Sequence, residues 1–134
     1  MRVGEGCDMR FAGYAAVFDR VDRGGDVVRA GAFKRALKAR ADVPLLWQHQ
    51  AGRPIGRIDY LREDGRGLRV IGRVVDDEAA RLLKAGAVQG LSFGYRVRAA
   101  SGAEPRELTD LDLVEVSLVT FPMQPKARVH AVEG

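Results

Sequence analysis

The chain is poor in the residue types that build metal centres and covalent staples. Its 134 residues include one cysteine, Cys7, so no disulfide can form within it, and a lone thiol fits a reducing cytoplasm. The two histidines, His49 and His130, and that cysteine show no ligand spacing, so neither a metal nor a cofactor is expected. No apolar run is long enough to cross a membrane as a helix, and Met1 to Gly6 lack the apolar segment of a signal peptide. Aromatic residues make up 7%, which gives weak support to any surface that stacks nucleic-acid bases. Charge of one sign is also scarce: 22 basic against 18 acidic side chains leave +4, spread in mixed clusters. That excess permits contact with nucleic acid without arguing for it.

What is present is the composition of a globular protein, 46% hydrophobic and 30% charged, enough for one domain over 1–134 with a real core. Residues 1–9 and 128–134 read as flexible ends. Residues 10–18 predict a first strand, and Gly24-Gly25 a reversal. Gly31-Ala32-Phe33 leads into a helix through about Arg40, with Phe33, Ala36 and Leu37 on its packed face. Val43–Gln48 predicts a second strand ending at His49, with Trp47 and His49 on a shared face. A turn at residues 50–53 and a strand over Pro54–Leu61 follow, then an Asp64-Gly65 hairpin and its partner strand Leu68–Val75. Asp76 and Asp77 are N-cap candidates for a helix over Glu78–Ala85, stopped by Gly86.

Val88–Ala99 forms the next strand, Ser101–Pro105 a loop, Arg106–Thr109 a short strand, and Leu111–Phe121 the last long one. The predicted class is mainly β with helices (α+β). The expected architecture is a small closed or nearly closed antiparallel barrel of six to seven strands flanked by two or more helices, since closure hides apolar strand edges.

Candidate chemistry centres on Ser92, between Gly90 and Gly94. Alternation puts Leu91, Phe93, Tyr95 and Val97 on one face, and Ser92, Gly94, Arg96 and Arg98 on the polar one. An ordinary surface serine fits that pattern too. The Gly-x-Ser-x-Gly letters are not the α/β-hydrolase elbow, because the chain continues as strand where that elbow needs a helix. A serine hydroxyl needs a base, and His49 at a rigid strand end suits the role; its competing reading is a half-buried histidine beside Trp47. His130, near the C-terminus, is the rival base. For a third member Asp110, Asp112 and Glu115 lie on or beside the last strand, with Glu115 alternating with Leu113 and Ser117. An inward Glu115 needs a partner, which His49 or an arginine would provide.

Several stretches, taken in order, resemble the prohead proteases of tailed phages, head-maturation serine peptidases related in fold to the herpesvirus capsid protease. They are Phe11-Ala12-Gly13-Tyr14-Ala15, Gly31-Ala32-Phe33, Leu45-Leu46-Trp47-Gln48-His49, Gly90-Leu91-Ser92-Phe93-Gly94-Tyr95 and Leu113-Val114-Glu115-Val116-Ser117, the last continuing to Pro122. The likeness runs from about Arg10 to Ala127. It implies Ser92 as nucleophile, His49 as general base and acid, and Glu115 as the residue orienting the histidine, with Asp112 as the alternative. Met123 and Gln124 depart from the small residue and asparagine that the family usually has after the final proline.

The resemblance further implies a serine endopeptidase acting inside an assembling procapsid in the bacterial host's cytoplasm. It would cut the scaffolding segment of the major capsid protein, and itself. A homodimer is open, since herpesvirus relatives use dimerisation to order the site; neither membrane nor nucleic acid is an expected partner. Phages, prophages and gene-transfer particles share such enzymes. The oxyanion donors are unassigned, with the neighbourhood of Arg106 a guess. The alternative class is a non-enzymatic or degenerate barrel, a capsid-assembly scaffold or a nucleic-acid module using Arg96 and Arg98.

Overall fold

A 14-residue strand, Arg106–Val119, is the member to which three others attach. Its apolar residues Leu108, Leu111, Val116 and Leu118 are buried, while polar residues between them carry the strand into solvent at its start. The computed structural model describes residues 8–39 and 42–134. Within them the order is β1 (Met9–Val17), β2 (Asp26–Val28), α1 (Lys34–Ala39), β3 (Leu45–Trp47), β4 (Gln50–Glu63), β5 (Gly67–Val74), α2 (Asp77–Lys84), β6 (Gly90–Ser101), β7 (Arg106–Val119) and β8 (Val129–Glu133). Cys7 and Arg40 lie outside the described residues.

Strand β6 runs antiparallel along one edge of β7, from Gly90 opposite Val119 to Ser101 opposite Glu107. The other edge of β7 is shared. Parallel β2 takes residues 106–108, and parallel β3 takes residues 116–118. The sheet then continues through β4, β5 and β1 to β8. Val116 and Leu118 face the core with Leu45, Leu91 and Phe33, and Phe33 meets Phe93 edge to face at 5.2 Å. Alternation puts Glu115 and Ser117 on the opposite face of β7.

The helices are fixed by carboxylates. Asp76 caps α2 by accepting the Ala79 N–H at 3.0 Å, as its position before an acidic first turn predicts. The Glu63 carboxylate accepts the N–H groups of Gly31 and Phe33, each at 2.8 Å, tying the approach to α1 to the end of β4.

The barrel expectation is not supported: eight strands form an open sheet. Its edges, β6 and β8, meet at one isolated bridge between Gly90 and Arg128, flanked by a Val129 N–H to Gln89 carbonyl bond of 2.8 Å. Among the described residues no ladder joins β6 to β8. The reason is the outer half of β6. Arg96 to Ser101 are exposed and run along the start of β7, whose other edge is covered by β2, and this polar outer edge of β6 needs no closure.

Four local readings also change. Residues 50–53 belong to β4, with a register shift against β3 in place of a turn. The two segments read over Arg106–Thr109 and Leu111–Phe121 are one strand. Residues 128–134, read as a flexible end, carry β8, which pairs with β1. The fourth concerns His49, which lies beyond the end of its strand.

Candidate active site

Strand β3 stops at Trp47, which pairs with Gln50, so Gln48 and His49 form a two-residue hairpin turn. Both have positive φ, 51° and 62°, the pattern of a type I′ turn, normally occupied by asparagine, aspartate or glycine. His49 therefore leaves the strand face that Trp47 occupies. Such a conformation persists in other residue types only where the surroundings hold it.

Here the holding groups come from the end of β7. The Gln48 N–H donates to the Leu118 carbonyl at 3.0 Å. The Gln48 side chain donates to Thr120 Oγ1 at 2.7 Å and accepts the Thr120 N–H at 3.0 Å. The His49 N–H donates to Ser117 Oγ at 3.0 Å. Both N–H groups of the turn are thus satisfied by one neighbouring strand.

From this turn the His49 ring reaches Glu115, with Nδ1 2.5 Å from Oε2. The other carboxylate oxygen, Oε1, accepts the Ser117 hydroxyl at 2.7 Å. The Glu115 side chain is 10% exposed and that of His49 45%, so an inner carboxylate holds an outer imidazole. An ionised carboxylate only accepts, so Nδ1 carries the proton and the lone pair of the neutral ring falls on Nε2. That is the nitrogen a general base requires.

Ser92 lies on β6 directly opposite Ser117, and Gly94 directly opposite Glu115. Residues facing each other across an antiparallel pair project to the same side. The pairing therefore gathers Ser92, Ser117, Glu115 and, through the turn, His49 on one face of the sheet. Ser92 is only 5% exposed, so it is less open than the polar strand face suggested. Among the described residues no hydrogen bond joins its Oγ to His49.

The other candidates lie elsewhere. Asp112 is held by Arg35 at 2.6 Å and Arg98 at 2.7 Å, and these hydrogen bonds keep its carboxyl below the usual range. Asp110 binds Arg35 as well. His130 stacks on Tyr14 at 5.8 Å. Its pKa is pushed down by desolvation and then by Arg69 and Arg66. Arg106 makes a two-point ion pair with Asp26 at the far end of β7, eleven residues from Ser117 and on the order of 35 Å along an extended strand, so it is no oxyanion donor.

Sequence reasoning missed Ser117, Gln48 and Thr120 as parts of the site. The alternation of Glu115 with Ser117 was a signal for the first; nothing in Gln48-His49 signalled a turn.

The fold recurs in viral proteases of known structure. Varicella-zoster virus protease superposes with a TM-score of 0.66 at 15% identity, covering 94% of this chain and 64% of that one. The bacteriophage T4 capsid assembly protease gp21 gives 0.66 at 15%, covering 84% and 82%. KSHV protease, solved with a hexapeptide phosphonate inhibitor, gives 0.65 at 12%, covering 95% and 65%. At these identities the likeness is one of fold, and it defines the class: an α+β fold shared with the herpesvirus and T4 proteases.

Residues 2–134 match the model of the caudovirus prohead serine proteases, and the chain belongs to that family. The prohead protease of Enterobacteria phage HK97 is 34% identical over an alignment of 144 positions, gaps included, which covers 98% of this chain and 63% of that protein. The capsid polyprotein of Pseudomonas phage PAJU2 is 28% identical over 127, or 84% of this chain and 18% of that one. This chain thus spans less than two thirds of the length of either relative.

Proposed function

We propose that the chain is a serine endopeptidase of capsid maturation, with Ser92 as nucleophile, His49 as general base and acid, and Glu115 orienting the imidazole. The observation that carries the reading is the His49 Nδ1 to Glu115 Oε2 contact, made on the same sheet face as Ser92. It leaves Nε2 to accept the Ser92 proton as Oγ bonds to the scissile carbonyl carbon. The same nitrogen then delivers that proton to the leaving amine as the C–N bond breaks. Water, deprotonated by His49, then bonds to the acyl carbon, the C–Oγ bond breaks, and Nε2 returns the proton to Ser92 Oγ. Glu115 stabilises the imidazolium formed in both halves, and the two arginines that hold Asp112 argue for Glu115 over it in that role.

Membership of the family, together with the relatives' names, supports the scaffolding segment of the major capsid protein and the chain itself as substrates, cut inside the procapsid. Among the described residues no helix is long and apolar enough to cross a membrane. Coexpression with the cognate major capsid protein tests the reading. The wild type should trim the capsid protein, and Ser92→Ala should leave it at full length; trimming by Ser92→Ala would remove the nucleophile assignment.

A second reading, a catalytically silent assembly module, draws on the burial of Ser92 and the missing Ser92–His49 bond. Labelling by a serine-directed phosphonate separates the two: labelling lost in Ser92→Ala and His49→Ala favours the enzyme. For a nucleic-acid module, one of the two arginines read for phosphate contact, Arg98, is engaged by Asp112, which weakens that reading.

A further inference from the structure

Ser117 has no role in the three-residue scheme, yet it is the point where its parts meet. Its side chain is completely buried, so it cannot itself reach a substrate. A hydroxyl has one proton to donate and two lone pairs. Ser117 donates that proton to Glu115 Oε1 at 2.7 Å and accepts the His49 N–H at 3.0 Å. Each partner is a member of the proposed site, and each is held in an arrangement that needs help. Glu115 is a carboxylate with little access to water, and His49 sits in a left-handed turn whose N–H has no ladder partner.

We infer that Ser117 is a positioning residue of the catalytic apparatus, fixing the Glu115 carboxylate and the His49 backbone through one oxygen. This rests on the assignment of Ser92, His49 and Glu115. With Oε1 occupied by Ser117, the carboxylate can present only Oε2 to the imidazole. With the His49 N–H on the same Oγ, the ring's starting point is set relative to that oxygen. The hydroxyl therefore fixes where Oε2 stands relative to the His49 main chain, and so the direction from which the ring is held. The strand pairing adds the third member, since Ser117 lies directly opposite Ser92. One side chain thus ties Glu115 to His49 at the strand position that faces Ser92.

The experiment is a double-mutant cycle on peptide cleavage, with Ser117→Ala, Glu115→Gln and the pair, alongside Ser92→Ala as a control. Ser117→Ala should lower kcat by about ten- to a hundredfold with KM little changed, the scale of one charged hydrogen bond. In the Glu115→Gln background the same substitution should cost less than about threefold, because the hydroxyl acts through the carboxylate.

Ser117→Cys, which fills the space with a weaker donor, should fall between the serine and alanine forms. The downfield proton resonance of the His49–Glu115 bond should move in both folded Ser117 variants. Equal losses in the two backgrounds, or an unmoved resonance in Ser117→Cys, would overturn the inference while Ser92→Ala stayed inactive. Activity in Ser92→Ala would instead overturn the underlying assignment.

Discussion

A Cβ placed on Gly94 would lie 2.5 Å from Glu115 Oε2, the oxygen that binds His49. It would also stand 3.0 Å from both Cδ and Cγ of that side chain, so the carboxylate lies flat over the glycine. Gly94 is thus a space for Glu115, the proposed third member of the site, where its sequence neighbours suggested only a site of close backbone approach. Gly94→Ala should displace the carboxylate from His49 and lower kcat/KM by about ten- to a hundredfold, with a small change in melting temperature. Steady-state kinetics on a folded variant check this, and a wild-type rate would show that Glu115 can move without loss.

Gln48 offers a separation of stability from activity. Glycine accepts its positive φ without the steric cost borne by a residue with Cβ, roughly 1 kcal/mol or more. Gln48→Gly also removes both bonds to Thr120, worth about 1 kcal/mol each. The opposed terms predict a melting temperature within a few degrees of wild type, alongside reduced cleavage because the His49 turn has lost its clamp. Thermal denaturation read beside kcat/KM tests the pair; unchanged cleavage would mean that the main-chain bonds alone position His49.

How much of this was legible in the sequence depends on whether a contact is local. Alternation along the last strand brought Glu115 and Ser117 to one face, and the order of short motifs pointed to Ser92 and His49. The Gln48-His49 turn was not legible, because neither residue is a usual choice for positive φ. Its conformation is imposed by Leu118, Ser117 and Thr120, about seventy positions away in the chain. The choice between Glu115 and Asp112 likewise hung on Arg35 and Arg98, which claim Asp112 from two other elements. The barrel failed for a related reason. Counting strands says nothing of how far the exposed outer half of β6 runs on from its one bridge to Arg128.

Glu115→Gln keeps the shape of the side chain but puts an amide where the site needs an acceptor on both sides. One amide face must meet either the His49 Nδ1–H or the Ser117 hydroxyl with N–H₂, favouring the wrong imidazole tautomer. In the serine-protease template the corresponding substitution costs about 10⁴ in kcat. A loss of about a hundredfold or more is expected here, and Asp112→Asn should cost less than about threefold, since its partners are surface arginines. The reverse ranking in a cleavage assay would move the third role to Asp112.

The Asp64 carboxylate supplies an acid-stability prediction away from the site. Desolvation raises its pKa, but hydrogen bonds from Tyr14, Arg66 and Gly67, with Arg69 nearby, outweigh that and leave it below its ordinary value of 3.8. The folded state therefore binds this proton less readily than the unfolded chain. Its contribution is present above pH 3.8 and is lost as pH falls from there through the folded pKa. Asp64→Asn keeps an oxygen for the Arg66 and Gly67 N–H groups but faces the Tyr14 hydroxyl with N–H₂. The variant should be less stable than wild type at neutral pH, with the gap narrowing below pH 3.8 in urea titrations. A gap independent of pH would assign the loss to packing.

His130 and His49 should respond oppositely to substitution. Desolvation, then Arg69 and Arg66, hold the His130 pKa below its ordinary value of 6.5, so the folded state resists protonation there. The sign follows directly: above pH 6.5 the ring is neutral in both states and costs nothing. As pH falls below 6.5 the unfolded chain takes up the proton first, and stability declines until the folded pKa is passed. His130→Gln should remove that decline while leaving cleavage near wild type, because the ring's packing partner is Tyr14 and the site lies at the β6–β7 pair. His49→Gln should abolish cleavage and leave the acid decline in place. Denaturant titrations at several pH values, run beside the cleavage assay, distinguish the two rings. Loss of cleavage in a folded His130→Gln, with His49→Gln active, would reverse the assignment of the base.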